Sequence, residues 1–225
     1  MMPVLSLDAA GTLIHPAERV GATYARIAAR HGLDADPNEL DRRFAAAFAT
    51  HPAPRYLPGE NGDKAERAWW EELVKAVFEE EDLIDFPSFF NELFAHFASG
   101  EAWALYPDAK PFLNEAKNRG FRLIMVSNFD RRLHSICHDM DLSSYFDFIL
   151  TSAEAKARKP SPLIFQMAEN RLGPDPGRIH HIGDSPEADM RGPHSVGWRA
   201  DLIERPKDDL LSILSRLTRP ARSDA

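Results

Sequence analysis

The hydrophobic pattern of this chain changes character twice along its length. It opens with Pro3-Val4-Leu5-Ser6-Leu7, a short and mostly apolar run that predicts a buried strand, and the run stops at Asp8. From Pro16 to about Gly100 the apolar positions fall at helical spacing and predict no strand. Val20, Tyr24, Ile27 and Ala28 form one helix face, with Gly32 as its stop. Asp36-Pro37-Asn38-Glu39 reads as N-cap, first-turn proline and capping-box acid, ahead of a face of Leu40, Phe44, Ala47 and Phe48. The loop His51–Gly62, rich in Pro and Gly, follows. Asp63 and Glu66 then reopen a helix with Trp69, Trp70, Leu73, Ala76 and Val77 on its apolar side, and a last one from about Pro87 carries Phe90, Leu93, Phe94 and Phe97.

Beyond Gly100 helices and strands alternate. Strands are predicted at Arg122–Val126, Phe148–Leu150, Ile179–Ile182 and Trp198–Ile203. Helices are predicted at Pro107–Arg119, Arg131–Asp141, Ser161–Arg171, Pro186–His194 and Leu210–Leu217. Alternation of this kind implies a parallel sheet covered on both faces. The first strand belongs to that sheet. The expected fold is therefore an α/β core made of residues 1–15 and 101–225, with residues 16–100 inserted as an all-helical cap.

Polar residues interrupt the pattern where strands end. Asp8 is followed by Ala9-Ala10-Gly11-Thr12, a loop whose glycine permits a sharp turn and whose threonine offers a hydroxyl. Ser127-Asn128, Lys159-Pro160 and Gly183-Asp184-Ser185 occupy similar places, with Asp189 shortly after. Singly, these read as helix caps, first-turn charges or a solvated lysine. Together they gather at the carboxyl end of a parallel sheet, where open α/β folds bind ligands. Asp8, Asp184 and Asp189 would crowd like charges that demand a cation, and oxygen ligands alone favour Mg²⁺ over zinc. A hydroxyl, a lysine, a cation and a carboxylate suit phosphoryl transfer.

These segments resemble, in order, the four motifs of the haloacid dehalogenase (HAD) superfamily: Asp8-Ala9-Ala10-Gly11-Thr12-Leu13, Ser127-Asn128, Lys159-Pro160, and Gly183-Asp184-Ser185 through Asp189. Trp69-Trp70 and the run Ser127–Leu133 are most similar to the branch called HAD-like hydrolase domain-containing protein 3. The resemblance implies a Rossmann-like core with a cap. It implies Asp8 as nucleophile and Asp8, Asp184 and the Ala10 carbonyl as Mg²⁺ ligands, with Asp189 part of the metal site as a further ligand or directly behind the ligands. It also implies phosphate binding by Thr12, Ser127, Asn128 and Lys159, with Ser127 and Lys159 acting in catalysis. Ala10 departs from the phosphatase pattern, which carries a second Asp there as general acid and base. Losing such a group costs about 10²–10⁴-fold. Four readings remain open. The first is a Mg²⁺-dependent phosphatase that uses good leaving groups or an acid from elsewhere, such as His15 or the 51–62 loop. The second is phosphonoacetaldehyde-hydrolase-like chemistry through Lys64 or Lys75. The others are dehalogenase-like attack on carbon, and a non-catalytic phosphate-binding module.

Composition narrows the partners. A chain of 225 residues with net charge −8 and no basic stripe argues against nucleic acid, and the resemblance implies a small phosphorylated substrate. No apolar run is long enough for a membrane span, no leader is read at the start, and the single Cys137 fits a reducing compartment, so a cytoplasmic protein is expected. Oligomeric state is not set by these features. Cys137 is expected in the core. Arg55 and Tyr56 of the 51–62 loop are candidates to face substrate. Arg131 and Arg132 read as a solvated helix start in preference to a phosphate contact near Asn128, Trp69 and Trp70 as cap packing, and His180 and His181 as structural residues on opposite strand faces. The polar tail Arg219–Ala225 is expected to fray.

Overall fold

The computed structural model describes residues 3–79, 85–173 and 178–217, so Met2 and the Arg219–Ala225 tail lie outside the described residues. Strand β1 (Val4–Leu7) leads through a tight loop to a short strand β2 (Ile14–Pro16). Helices α1 (Val20–Arg30), α2 (Pro37–Thr50), α3 (Gly62–Val77) and α4 (Phe86–His96) follow, and β3 (Trp103–Leu105) returns the chain. Then come α5 (Ala109–Asn118), β4 (Arg122–Ser127), α6 (Arg132–Asp139), β5 (Phe148–Thr151), α7 (Ser152–Ala155) and α8 (Pro162–Leu172). The described chain finishes with β6 (Ile179–Gly183), α9 (Gly192–His194), β7 (Arg199–Leu202) and α10 (Leu210–Leu217).

Five strands form a wholly parallel sheet in the order β5-β4-β1-β6-β7. Strand β1 lies at its centre and all four of its residues are buried, as a strand covered on both faces must be. The two-residue alternation sorts side chains into two apolar layers. Leu5, Leu7, Leu123 and Met125 pack with α5, α6 and α10 on one face, and Val4, Ile124, Val126 and Leu150 pack with α8 on the other. Cys137 is buried in the first layer, where burial pushes its thiol up to about 12.

The inserted helices form a third apolar cluster of their own, built on Tyr24, Ile27, Leu40, Trp69, Leu73, Val77, Phe89 and Leu93. The fold is thus an α/β core with an inserted helical cap. Several local expectations are revised. β2 and β3, which no periodicity marked, pair antiparallel with Ile14 opposite Leu105 and fasten the two crossings between core and cap. On α3 the buried residues include Val74, while Ala76 is exposed. Asp36 does cap α2 by accepting from the Asn38 N–H at 3.0 Å, but Glu39 pairs with Arg42 and Arg43. The helix expected over Pro186–His194 is instead a π-helical turn, Pro186–Arg191, followed by the single turn α9. Wide turns of this kind recur at functional sites, and this one carries Asp189. Among the described residues no helix is long and apolar enough to cross a membrane.

Candidate active site

Parallel strands place their carboxyl ends on one side, and the register aligns them here. Leu7 pairs with Met125 of β4 and Ile182 of β6, so the residues just beyond these positions emerge together: Asp8, Ser127 and Asp184. The Asp8 N–H donates to the Ile182 carbonyl at 3.0 Å, which fixes Asp8 against β6. Lys159 arrives from the β5–α8 connection and is buried. Its Nζ donates to Asp8 Oδ1 at 2.7 Å and to Asp189 Oδ1 at 2.6 Å. Asn128 anchors the Lys159 backbone from both sides, donating from Nδ2 to its carbonyl at 3.0 Å and accepting from its N–H at 2.7 Å. Asp189 is held further by His181 Nε2 at 3.0 Å and by the Ser185 N–H at 2.9 Å.

Carboxylate oxygens of Asp8, Asp184 and Asp189 lie within 4.8 Å of one another. Gly11 makes this approach feasible: its φ is +80°, and a Cβ there would collide with the Asp184 carboxylate. Burial pushes the Asp8 carboxyl above the ordinary range; Lys159 pulls it down and Asp189 pushes it up. Asp184 rises to about 6 through desolvation and then through the charges of Asp8 and Asp189. Burial also opposes ionisation of Asp189, but Lys159 and His181 outweigh it and hold that carboxyl well below the usual range. Desolvation disfavours charge on Lys159 too, yet Asp189 and Asp8 raise its pKa overall. His181 is lowered, first by desolvation. An ionised Asp189 can only accept, so the His181 Nε2 carries the proton and Nδ1 accepts from Ser6 Oγ at 2.8 Å. Lys159 balances one of the three carboxylates. The remaining negative charge, in an all-oxygen donor set, fits a divalent cation such as Mg²⁺.

A cavity of about 230 Å³ opens between this cluster and the cap. Ala10, Asn128 and Phe129 line its core side; Tyr24, Phe48, Trp70, Phe94 and Trp103 are among the residues opposite. Neither the 51–62 loop nor His15 contributes to it. Tyr56 of that loop turns inward to bond the Glu66 carboxylate, and Arg55 is exposed. His15 bonds the Pro16 carbonyl and packs on Tyr106. Lys64 is exposed and Lys75 pairs with Glu71 at 2.8 Å, both away from the cavity. Thr12 is fully buried with its Oγ1 unbonded, and its carbonyl accepts from Arg205 Nη2 at 2.7 Å.

Sequence reasoning missed three groups near this site. Arg132, read as solvated, is buried: its guanidinium pairs with Asp130 at 2.8 Å and lies 3.6 Å over the Phe94 ring of the cap. Glu66, read only as part of the start of a helix, is fully buried and receives hydrogen bonds from Tyr56 and from Ser152 of the core. His181, read as structural, reaches Asp189, whereas its neighbour His180 faces the other way to Asp201 at 2.7 Å. The available signal was strand alternation, which sends His181 and Ser6 to one face.

Residues 2–197 match the family described as haloacid dehalogenase-like hydrolase. Human haloacid dehalogenase-like hydrolase domain-containing protein 3 is 33% identical over 209 residues, spanning 91% of this chain and 82% of the relative. The fold superposes on a HAD phosphatase from Thermococcus onnurineus with a TM-score of 0.67 and 23% identity, covering 96% of this chain and 98% of that one. It superposes on a dehalogenase with a TM-score of 0.71 and 19% identity, covering 97% and 98%.

Proposed function

The chain belongs to the haloacid dehalogenase-like hydrolases, and from that premise we propose that it is a Mg²⁺-dependent phosphatase acting on a small phosphorylated metabolite through Asp8. The observation that carries this reading is Lys159 Nζ bridging Asp8 and Asp189 at 2.7 and 2.6 Å, beside an Asp184 carboxylate that no basic side chain among the described residues pairs. Asp8, Asp184 and the Ala10 carbonyl would hold Mg²⁺. Asp189 supports them from behind, since Lys159, His181 and the Ser185 N–H already engage both of its oxygens. When bound, the ion supplies positive charge against the phosphoryl oxygens.

With Oδ1 of Asp8 held by Lys159, Oδ2 attacks phosphorus while the bond from phosphorus to the leaving oxygen breaks. Lys159 stabilises the charge that builds on the phosphoryl group, and Ser127 and Asn128 line the approach. Water then hydrolyses the aspartyl phosphate and restores the carboxylate. Dehalogenase-like attack on carbon needs no cation, and three carboxylates this close are costly without one. Phosphonate chemistry needs a cap lysine at the cavity, and Lys64 and Lys75 stand elsewhere. Residues 16–100 serve on this reading as the cap that closes over substrate, and residues 1–15 and 101–225 as the core.

The test is phosphate release from acetyl phosphate with and without Mg²⁺. We expect Mg²⁺-dependent turnover that falls by at least about 10³-fold in Asp8→Asn. Equal turnover by Asp8→Asn, or Mg²⁺ binding that survives Asp184→Ala intact, would refute the assignment.

A further inference from the structure

The cavity beside Asp8 is walled by rings. Its core-side wall includes Ala10, two residues after the nucleophile, and Asn128, next to Ser127. A substrate with its phosphoryl group at Asp8 therefore has this cavity beside it for its remaining part. Most polar side chains at this wall are already committed. Asn128 spends both ends of its amide on the Lys159 backbone, and Arg132 is paired with Asp130 and stacked on Phe94. Arg158 faces Glu66, 3.9 Å from its Nε, and its guanidinium lies 4.4 Å from the Trp69 ring, which leaves the Tyr24 hydroxyl and the Trp70 indole N–H to meet substrate. Those serve one or two polar groups. They do not serve the several hydroxyls of a sugar, which would be stripped of water with nothing to replace it.

Volume points the same way. A dry cavity of about 150 Å³ lined by apolar side chains binds benzene, so a space of about 230 Å³ accommodates a substituted or fused ring. The residues lining the cavity include no Asp, Glu or His to protonate a departing oxygen, and Ala10 stands where the family's phosphatases carry that acid. On the cavity side, a leaving group therefore departs without a carboxyl or imidazole beside it. A phenolate, with a conjugate-acid pKa of about 10 as in tyrosine, does so far more readily than an alkoxide.

Resting on the phosphatase reading above, we propose that the substrate class is aryl phosphates: esters of a phenolic hydroxyl on an apolar ring that fills the cap cavity. Asp8 forms its bond to phosphorus as the phosphorus–aryl oxygen bond breaks, and the electron pair leaves with the phenolate. Water adds to the aspartyl phosphate, giving back the carboxylate and inorganic phosphate, and its released proton matches the one the phenolate takes up. The cap selects the ring, and the missing acid selects the phenol.

The experiment compares naphthyl phosphate, acetyl phosphate and glycerol phosphate on the intact chain with Mg²⁺. Acetyl phosphate carries a better leaving group but no ring, so it separates chemistry from recognition. The proposal predicts kcat/KM for naphthyl phosphate at least about tenfold above acetyl phosphate, and glycerol phosphate lowest. Phe48 lines the cavity and is 48% exposed, but its ring also packs on Phe44, Trp69 and Trp70, so a urea melt of Phe48→Ser accompanies its kinetics. The substitution should lower the naphthyl-to-acetyl ratio by about tenfold, mainly through KM for naphthyl phosphate. Acetyl phosphate turned over equally well or better, or a ratio that Phe48→Ser leaves alone, overturns the aryl assignment while the phosphatase reading stands. Silence on all three substrates refutes the phosphatase reading instead. Tryptophan fluorescence from Trp70 and Trp103 then still decides the cavity claim: saturable quenching by naphthyl phosphate and not by glycerol phosphate supports it, and equal responses overturn it.

Discussion

Asp184 shows what a single residue can report about this site. Its carboxyl is raised to about 6 from 3.8 by desolvation and by the charges of Asp8 and Asp189. Between those values the folded chain binds more protons than the unfolded one, so this group's contribution to stability is full at low pH and lost as pH climbs through about 6. In Mg²⁺-free buffer, wild-type should therefore lose thermal stability relative to Asp184→Asn as pH rises from about 4 to about 7. Added Mg²⁺ should raise the wild-type melting temperature more at the upper end of that range than at the lower. A gap between the two proteins that does not change with pH would contradict the electrostatic account. The strand-end acids and Lys159 were legible because charge is conspicuous in an apolar pattern. Arg132 was not, because an arginine at a helix start looks the same whether water or Asp130 answers its charge. His181 was hidden for a related reason: its partners Ser6 and Asp189 come from distant parts of the chain.

Among elements, the seam between cap and core matters most, since it bounds the cavity. Helix α3 meets the core through backbone and side chain at once. Its Asp63 accepts from the Arg131 N–H at 2.9 Å, Glu66 takes the Ser152 hydroxyl, and Trp69 lies 4.4 Å from the Arg158 guanidinium. Gly62 allows this fit, because a Cβ there would strike the Ala153 carbonyl of α7. Gly62→Ala should destabilise the chain by about 1–3 kcal/mol, the usual effect of overpacking, read from urea melts. An unchanged midpoint would mean that the seam is looser than described. Long elements were readable from periodicity alone, down to the glycine stop at Gly32. The short β2–β3 pair was not, since each strand has three residues and its partner lies across the whole cap. The wide turn at Pro186 was also invisible, because its shape follows from where Asp189 must reach.

At the scale of the whole molecule, two independently packed apolar regions face each other across a charged floor and a ring-lined roof. The parallel sheet with its inserted helices was foreseeable from the switch in hydrophobic period. The face each helix gives to the cavity was not: Phe44 and Phe48 lie on the predicted apolar side of α2, yet both line the cavity. The central claim is that Asp8 carries the phosphoryl group during turnover. Its most direct test is a rapid acid quench of the Mg²⁺-loaded chain with radiolabelled naphthyl phosphate and acetyl phosphate, followed by peptide mapping. Label on the peptide containing Asp8, labile to hydroxylamine and absent from Asp8→Asn, is the predicted result. Phosphate release at a full rate with no label on that peptide would contradict the account.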